Sequence, residues 1–437
     1  MGFFFTVIYA MASFLRPWEL YPELNDYRVM LVLGALCGAA VAWDVLGGAT
    51  DWLRAPQTYL MVAFVTWIGL SVALTGWFGG ALQAWGGFSS TALVFLFIVV
   101  TVNSLKHLKI LAIAMVCSML VIAVQGIAAY HFGYRSDVLV IYEGNHDGDD
   151  DAGPSDDRTE NESQFRRIRS VGFLNDPNDF AQALLLSLPL LAATWRRRRT
   201  AVNFFLVVIP AAVLLYATYL TFSRGALIAL GVILFMVVKE RWGFVAASLG
   251  AAGVGSLAMV GKVAGRGFGT SEASAAGRVD AWSLGLQLLR QHPLTGVGYN
   301  QFTEYNDLTA HNSYVLCFAE LGAIGYFLWL ALVVVSTLQL NRLLRSDGED
   351  RESVRWAGAI QKSLFAFLAS SFFLSRTYSP SLYILLGMIT GFYGFARNGT
   401  TATAPLFWGW TWRTAAAGFS SIACIYSFIV ATHLLGQ

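Results

Sequence analysis

The sequence predicts an all-α, polytopic transmembrane helical bundle of twelve to thirteen spans, with a large outer-face loop carrying an amphipathic helix. Three observations predict it. Of 437 residues, 56% are hydrophobic and only 13% charged, with a mean hydropathy of +0.57; soluble chains carry about 25% charged residues. The apolar residues run in long blocks, as membrane helices require. The short alternating segments of a transmembrane barrel are absent.

The blocks group into three sets. Residues 1–131 hold apolar runs at 3–15, 27–46, 57–75, 86–104 and 108–131. The first is short and has no basic region before it, so it reads as a helix that also serves as insertion signal rather than a cleaved leader. A loop at 132–177 separates these from a central group at 178–261, with runs at 178–195, 202–221, 224–238 and 243–261. A second long loop, 262–311, leads into 312–437, with runs at 312–338, 356–374, 380–396 and 412–434. The last begins among Trp408, Trp410 and Trp412, the aromatic anchors of a membrane interface.

Short-loop Lys and Arg set orientation. Arg196 to Arg199 should be cytoplasmic, and strict alternation puts Lys106, Lys109, Lys239, Arg241 and the Arg342–Arg355 loop on that same side. Both long loops then face outward, which in a bacterial inner membrane is the periplasm. The net charge of +2 gives no reason to expect a nucleic-acid partner. Cys37, Cys117, Cys317 and Cys424 all lie in apolar runs, as small core residues rather than disulfides or metal ligands.

The first outer loop contains an acidic run from Glu143 to Glu162, most simply a solvated, disordered segment without the spacing of a calcium loop. Gly172-Phe-Leu-Asn-Asp-Pro-Asn178 suits a helix start that points free N–H groups outward, an anion-holding arrangement. In the second outer loop, Gly265-Arg-Gly-Phe-Gly269 lacks the context of a nucleotide loop. Arg278 to Arg290 predicts an amphipathic surface helix with Val279, Trp282, Leu286 and Leu289 on one face.

The remaining polar groups gather on the outer side. Arg224 opens a span, Arg278 begins the surface helix, His311 begins the tenth span and Arg376 sits in a turn. Guanidinium groups hold phosphate bidentately and keep their charge. Imidazole moves protons near neutral pH. Arginines around one histidine suit a lipid-linked pyrophosphate, the arginines stabilising the leaving diphosphate and the histidine deprotonating an attacking hydroxyl. Each also has a plainer reading: Arg224 and Arg376 as arginines snorkelling to headgroups, and His311 as a polar helix start. Glu320, nine residues into its span, is either a structural pair or part of a polar site. Gly322-Ala-Ile-Gly325 predicts a close helix-packing face.

Phe222-Ser-Arg-Gly-Ala226, Gly277-Arg278 with Trp282, His292-Pro-Leu-Thr-Gly-Val-Gly298 and His311-Asn-Ser-Tyr followed by Glu320-Leu-Gly-Ala-Ile-Gly325 resemble the O-antigen ligase family. That family also contains O-antigen polymerase-like proteins and protein O-oligosaccharyltransferases. Gly172 to Asn178 resembles its upstream Asn-containing segment, and the likeness covers about 170 to 396 in order. The resemblance implies a GT-C-like glycan transferase of the bacterial inner membrane, needing no cofactor or metal. Its donor would be an undecaprenyl-pyrophosphate-linked glycan; its acceptor a glycan, lipid A core or protein hydroxyl. It implies Arg224 and Arg278 as the pyrophosphate-facing arginines and His311 as the base. Arg376, Asn178, Asn312 and Glu320 become substrate-binding positions. The family is usually described with twelve spans, so 412–434 and the acidic insertion at 143–163 are departures. Ligase, polymerase and protein O-glycosylase stay open as alternatives. So does a glycolipid transporter or flippase, to which a proton-coupled Glu320 would belong.

Overall fold

The computed structural model describes residues 1–48, 51–143, 165–260, 268–345, 350–396 and 407–435. Every apolar block is helical. The N-terminal group is α1 (Gly2–Leu15), α2 (Val29–Leu46), α3 (Pro56–Ala73), α4 (Phe78–Thr101) and α5 (Leu105–Phe132). The central group is α6 (Pro177–Ala193), α7 (Thr200–Leu220) and α8 (Arg224–Val260). Next come α9 (Phe268–Gln291), α10 (Ser313–Arg345), α11 (Arg351–Ser370), α12 (Pro380–Ala396) and α13 (Phe407–Leu435).

Seven of these (α2, α3, α4, α5, α7, α10 and a stretch of α13) are long and apolar enough to cross a membrane. The protein is thus a multi-pass helical bundle. The other helices in predicted spans differ for identifiable reasons. α1 has 14 residues and α12 has 17, below the ~20 that a hydrocarbon core asks for. α6 is as short, but 14 of its 17 residues are buried, so protein surrounds it. α8 is broken at Gly243 (φ 87°), just past Lys239, Glu240 and Arg241, which divides it at the boundary the sequence predicts. α11 is amphipathic and carries Arg351, Glu352, Arg355 and Lys362. The C-terminal run at 412–434 is one of the seven, and its Ser421 Oγ lies 2.6 Å from Tyr326 Oη of α10.

The basic turns gather at one end of the bundle. Lys109 Nζ pairs with Glu352 at 2.7 Å, Arg355 Nη1 donates to Trp195 O at 3.1 Å, and Lys362 Nζ pairs with Glu240 at 2.6 Å. These contacts join the turns that the charge pattern assigns to one side. α6 runs from that end to the opposite one, about 25 Å at 1.5 Å per residue.

Two loop expectations are revised. The first outer loop is not wholly irregular: β1 (Val140–Glu143) and β2 (Phe165–Ile168) pair antiparallel, with Ile141 opposite Arg167. Val138 to Tyr142 is a branched, apolar run that favours strand. The acidic residues 144–164 lie outside the described residues, as do 261–267. The amphipathic helix begins at Phe268, ten residues before Arg278. Its buried side centres on Ala281, Trp282, Gly285 and Leu288, with Val279, Leu286 and Leu289 at the edges. It packs against α10 and α13 as well as facing outward. Gly285 permits this: any Cβ there would overlap Val315.

Candidate functional site

The start of α10 is fastened from three directions. Trp282 Nε1 donates to Ala310 O at 2.8 Å, tying α9 to the residue before His311. Ser313 N donates to Ser371 O (2.8 Å), and Ser313 Oγ donates to Leu374 O (2.6 Å) while accepting from Arg376 N (2.7 Å). Thr377 Oγ1 donates to Ser313 O at 2.7 Å. Between these anchors His311 takes a left-handed backbone (φ 47°). That conformation is unfavourable for a residue with a Cβ and persists where its surroundings over-determine it.

Asn312 caps the start of α10 through its side-chain oxygen. Its Oδ1 accepts from Tyr314 N (2.9 Å) and Val315 N (3.1 Å), the residue is fully buried, and it is not among those lining the neighbouring cavity. His311 does line that cavity, of about 440 Å³, together with Asn178, Glu320 and Arg376. Its walls come from the start of α6, the loop after Gly298, the start of α10 and the α11–α12 turn.

Each neighbour is held differently. Asp179, 2% exposed, accepts both guanidinium arms of Arg376, whose Nη1 also donates to Phe173 O at 3.3 Å. The cationic charge of Arg376 is therefore matched within the protein. Glu320, also 2% exposed, accepts from Phe302 N (3.2 Å) and from Tyr378 Oη (2.7 Å). The α6 start is not the open anion cradle that the sequence suggests. Asp176 Oδ1 accepts from Asn178 N at 2.7 Å, and Asp179 sits in the first turn, so two carboxylates already occupy the positive end.

The Pro293–Gly298 and Glu320–Gly325 motifs explain each other. α10 breaks at Gly322 (φ 62°), releasing three carbonyls from helix bonding. Ala319 O accepts from Val297 N (3.0 Å), Glu320 O from Gly298 N (2.8 Å) and Leu321 O from Trp67 Nε1 (2.9 Å). Gly296 and Gly322 approach so closely that a Cβ on either would come within 2.6 Å of the other's nitrogen. The glycine pattern is thus a helix break with a loop docked into it; only Gly325, against Trp67, serves as a packing glycine between helices. A broken membrane helix is tolerated where other protein groups satisfy the freed backbone.

Arg224 and Arg278 are not among the residues that line this cavity. Arg224 is exposed at the first residue of α8, after Phe222 in a left-handed conformation (φ 48°). Arg278 is half-buried; burial lowers its pKa, the charge of Arg224 lowers it further, and Asp176 opposes both. The His311 pKa is likewise lowered by burial and then by Arg278, against Asp176. Arg278 therefore feels the charge of Arg224, His311 feels that of Arg278, and Asp176 acts on both Arg278 and His311.

Sequence reasoning missed Arg167, which is 5% exposed. Its Nε donates to Thr221 O (2.8 Å) and its Nη2 to Asn178 Oδ1 (3.3 Å), bridging the turn that presents Arg224 to the cavity wall. The sequence held no local signal for it: in Arg166-Arg167-Ile-Arg169 strand alternation turns Ile168 inward and puts Arg167 on the opposite face with Arg169. Lysine cannot reproduce this fork. Arg167→Lys is expected to speed backbone amide exchange over residues 221–226 by about 10- to 100-fold, the equivalent of one charged hydrogen bond. Exchange as slow as in the unmodified protein would show that the turn holds itself.

Residues 209–330 match the family model described as O-antigen ligase. The matched segment includes Arg224, Arg278, His311, Asn312 and Glu320, and stops short of Arg376. No curated protein matches the chain.

Proposed function

We propose that this chain, whose residues 209–330 match the O-antigen ligase family model, is an inner-membrane glycosyltransferase of that family acting on a lipid-linked glycan. It moves the glycan from undecaprenyl pyrophosphate to an acceptor hydroxyl at the periplasmic face. The observation that carries this reading is that His311 lines a polar cavity while the charge of Arg278, itself felt by Arg224, acts on it. Two guanidinium groups stabilise the diphosphate as it takes the bonding electron pair from the anomeric carbon. The neutral imidazole removes the acceptor's proton as the new carbon–oxygen bond forms, which inverts the anomeric centre. Among the described residues no hydrogen bond engages the His311 ring, so its lone pair is available. The nucleophile belongs to the acceptor, so no serine or cysteine of the chain takes part, and neither a metal nor a cofactor is called for.

The polar groups collect at one end of the bundle, opposite the basic turns, which supports transfer at one membrane face over passage through the bundle. Ligase, polymerase and protein O-glycosylase are versions of this reaction that differ in acceptor.

The test is release of lipid diphosphate by the purified protein in vesicles, followed against pH with a polyprenyl-diphosphate-linked oligosaccharide as donor. Burial and Arg278 favour the neutral imidazole, so its pKa lies below the ordinary 6.5. The base works unprotonated, so kcat/KM is expected to be level around neutrality and to fall only as pH drops through that lowered value. An acid limb centred above about 6.5 would contradict His311 as the base. Absence of diphosphate release from lipid-linked donors would contradict the transferase itself.

A further inference from the structure

The cavity and the arginine pair differ in charge. Three carboxyl groups, Asp176, Asp179 and Glu320, line the cavity against one guanidinium, Arg376, which Asp179 already neutralises. Even with Glu320 protonated, carboxylates outnumber cations there. Arg224 and Arg278 are not among the lining residues. Asp176 is offset by Arg167 and Arg278 behind the wall, so the lining itself offers a diphosphate no free guanidinium to hold it.

Direct displacement places nucleophile and leaving group on opposite faces of the sugar carbon. With the diphosphate on Arg224 and Arg278, the acceptor must come from the other side. His311 links the two, lining the cavity while the charge of Arg278 acts on it. The inner part of the cavity presents groups that suit hydroxyls. The Glu320 carboxylate is held by Tyr378 and the Phe302 amide, yet a carboxylate has about four lone-pair sites. The Tyr299 and Tyr378 rings, 4.6 Å apart, add flat apolar surface beside it. The volume falls within the ~300–1,000 Å³ range of small-ligand pockets, room for a sugar unit or two rather than a polymer chain.

Building on the transferase reading, we infer that this cavity is the acceptor subsite, and that it selects an uncharged, hydroxyl-bearing sugar while excluding acceptors with phosphate or carboxylate next to the reacting hydroxyl. Glu320 and Tyr378 bind the acceptor's hydroxyls at its floor, and His311 deprotonates the one that faces the donor.

The experiment uses the full chain in lipid nanodiscs and measures binding by saturation-transfer NMR. The probes are methyl glycosides of neutral hexoses and their phosphate monoesters, with diphosphate release from the lipid-linked donor recorded in parallel. The neutral glycosides are expected to bind and the phosphate esters to bind about tenfold or more weakly; Glu320→Gln and the isosteric Tyr378→Phe should each weaken neutral-sugar binding about tenfold. Equal or tighter binding of the phosphate esters overturns the inference. So does neutral-sugar binding that a correctly folded Tyr378→Phe protein leaves unchanged. Selective sugar binding without diphosphate release from any donor would support the subsite and overturn the transferase reading, so the two failures are distinguishable.

Discussion

Replacing His311 with asparagine is expected to lower glycan transfer by about 10²- to 10⁴-fold, the usual contribution of a positioned general base. Asparagine is the informative choice. His311 has a left-handed backbone (φ 47°) that alanine tolerates poorly and asparagine tolerates well. The substitution therefore removes the base while sparing the turn that Trp282 and Ser313 anchor. Transfer is measured as product per inserted protein in vesicles, with thermal unfolding as the check on folding. Activity within about twofold of the unmodified protein would remove His311 from the chemistry, leaving it a polar residue that starts a helix.

The second large effect falls on stability. Gly322→Ala is expected to destabilise the protein by about 3–5 kcal/mol, lowering its thermal midpoint by about 3–5 °C. Two penalties combine. A side chain at φ 62°, ψ −169°, a region essentially reserved for glycine, costs about 1–3 kcal/mol by itself. The new Cβ also overlaps Leu294 O and sits 2.6 Å from Gly296 N, prising the loop off the carbonyls of Ala319 and Glu320. Gly231→Ala is the control, because a Cβ there meets nothing within 4 Å; it should be neutral or stabilising by up to about 1 kcal/mol. Equal midpoints for the two variants would show that the helix break is not a fixed part of the fold.

These residues show what one chain could and could not reveal. Helix positions were legible because lipid leaves the backbone no partner but itself, so each apolar block had to be helical. His311 was legible because a titratable group beside a long apolar run is expensive without a purpose. The pairing of Arg376 with Asp179 was not, since the partners are 197 residues apart and no local pattern links them. Gly322 was misread because small residues at helical spacing suit packing and breaking alike, and only the docked Pro293–Gly298 loop separates the two. Arg167 escaped because its partners, Thr221 and Asn178, are found by folding rather than by spacing.

The stitching around the start of α10 also has a temporal side. Asp179 enters the bilayer with α6, but its partner lies nearly two hundred residues downstream, beyond α11. Ser313 likewise waits for Ser371 and Leu374. During synthesis these polar groups have no mates, so the helices carrying them must remain near water or the insertion machinery until the α11–α12 turn is made. These contacts close last, when most of the chain is already in place. A chain shortened before Arg376 would keep most of its apolar helices and hold Asp179 as an uncompensated buried carboxylate, a mark that membrane quality control can recognise without reading any other part of the fold.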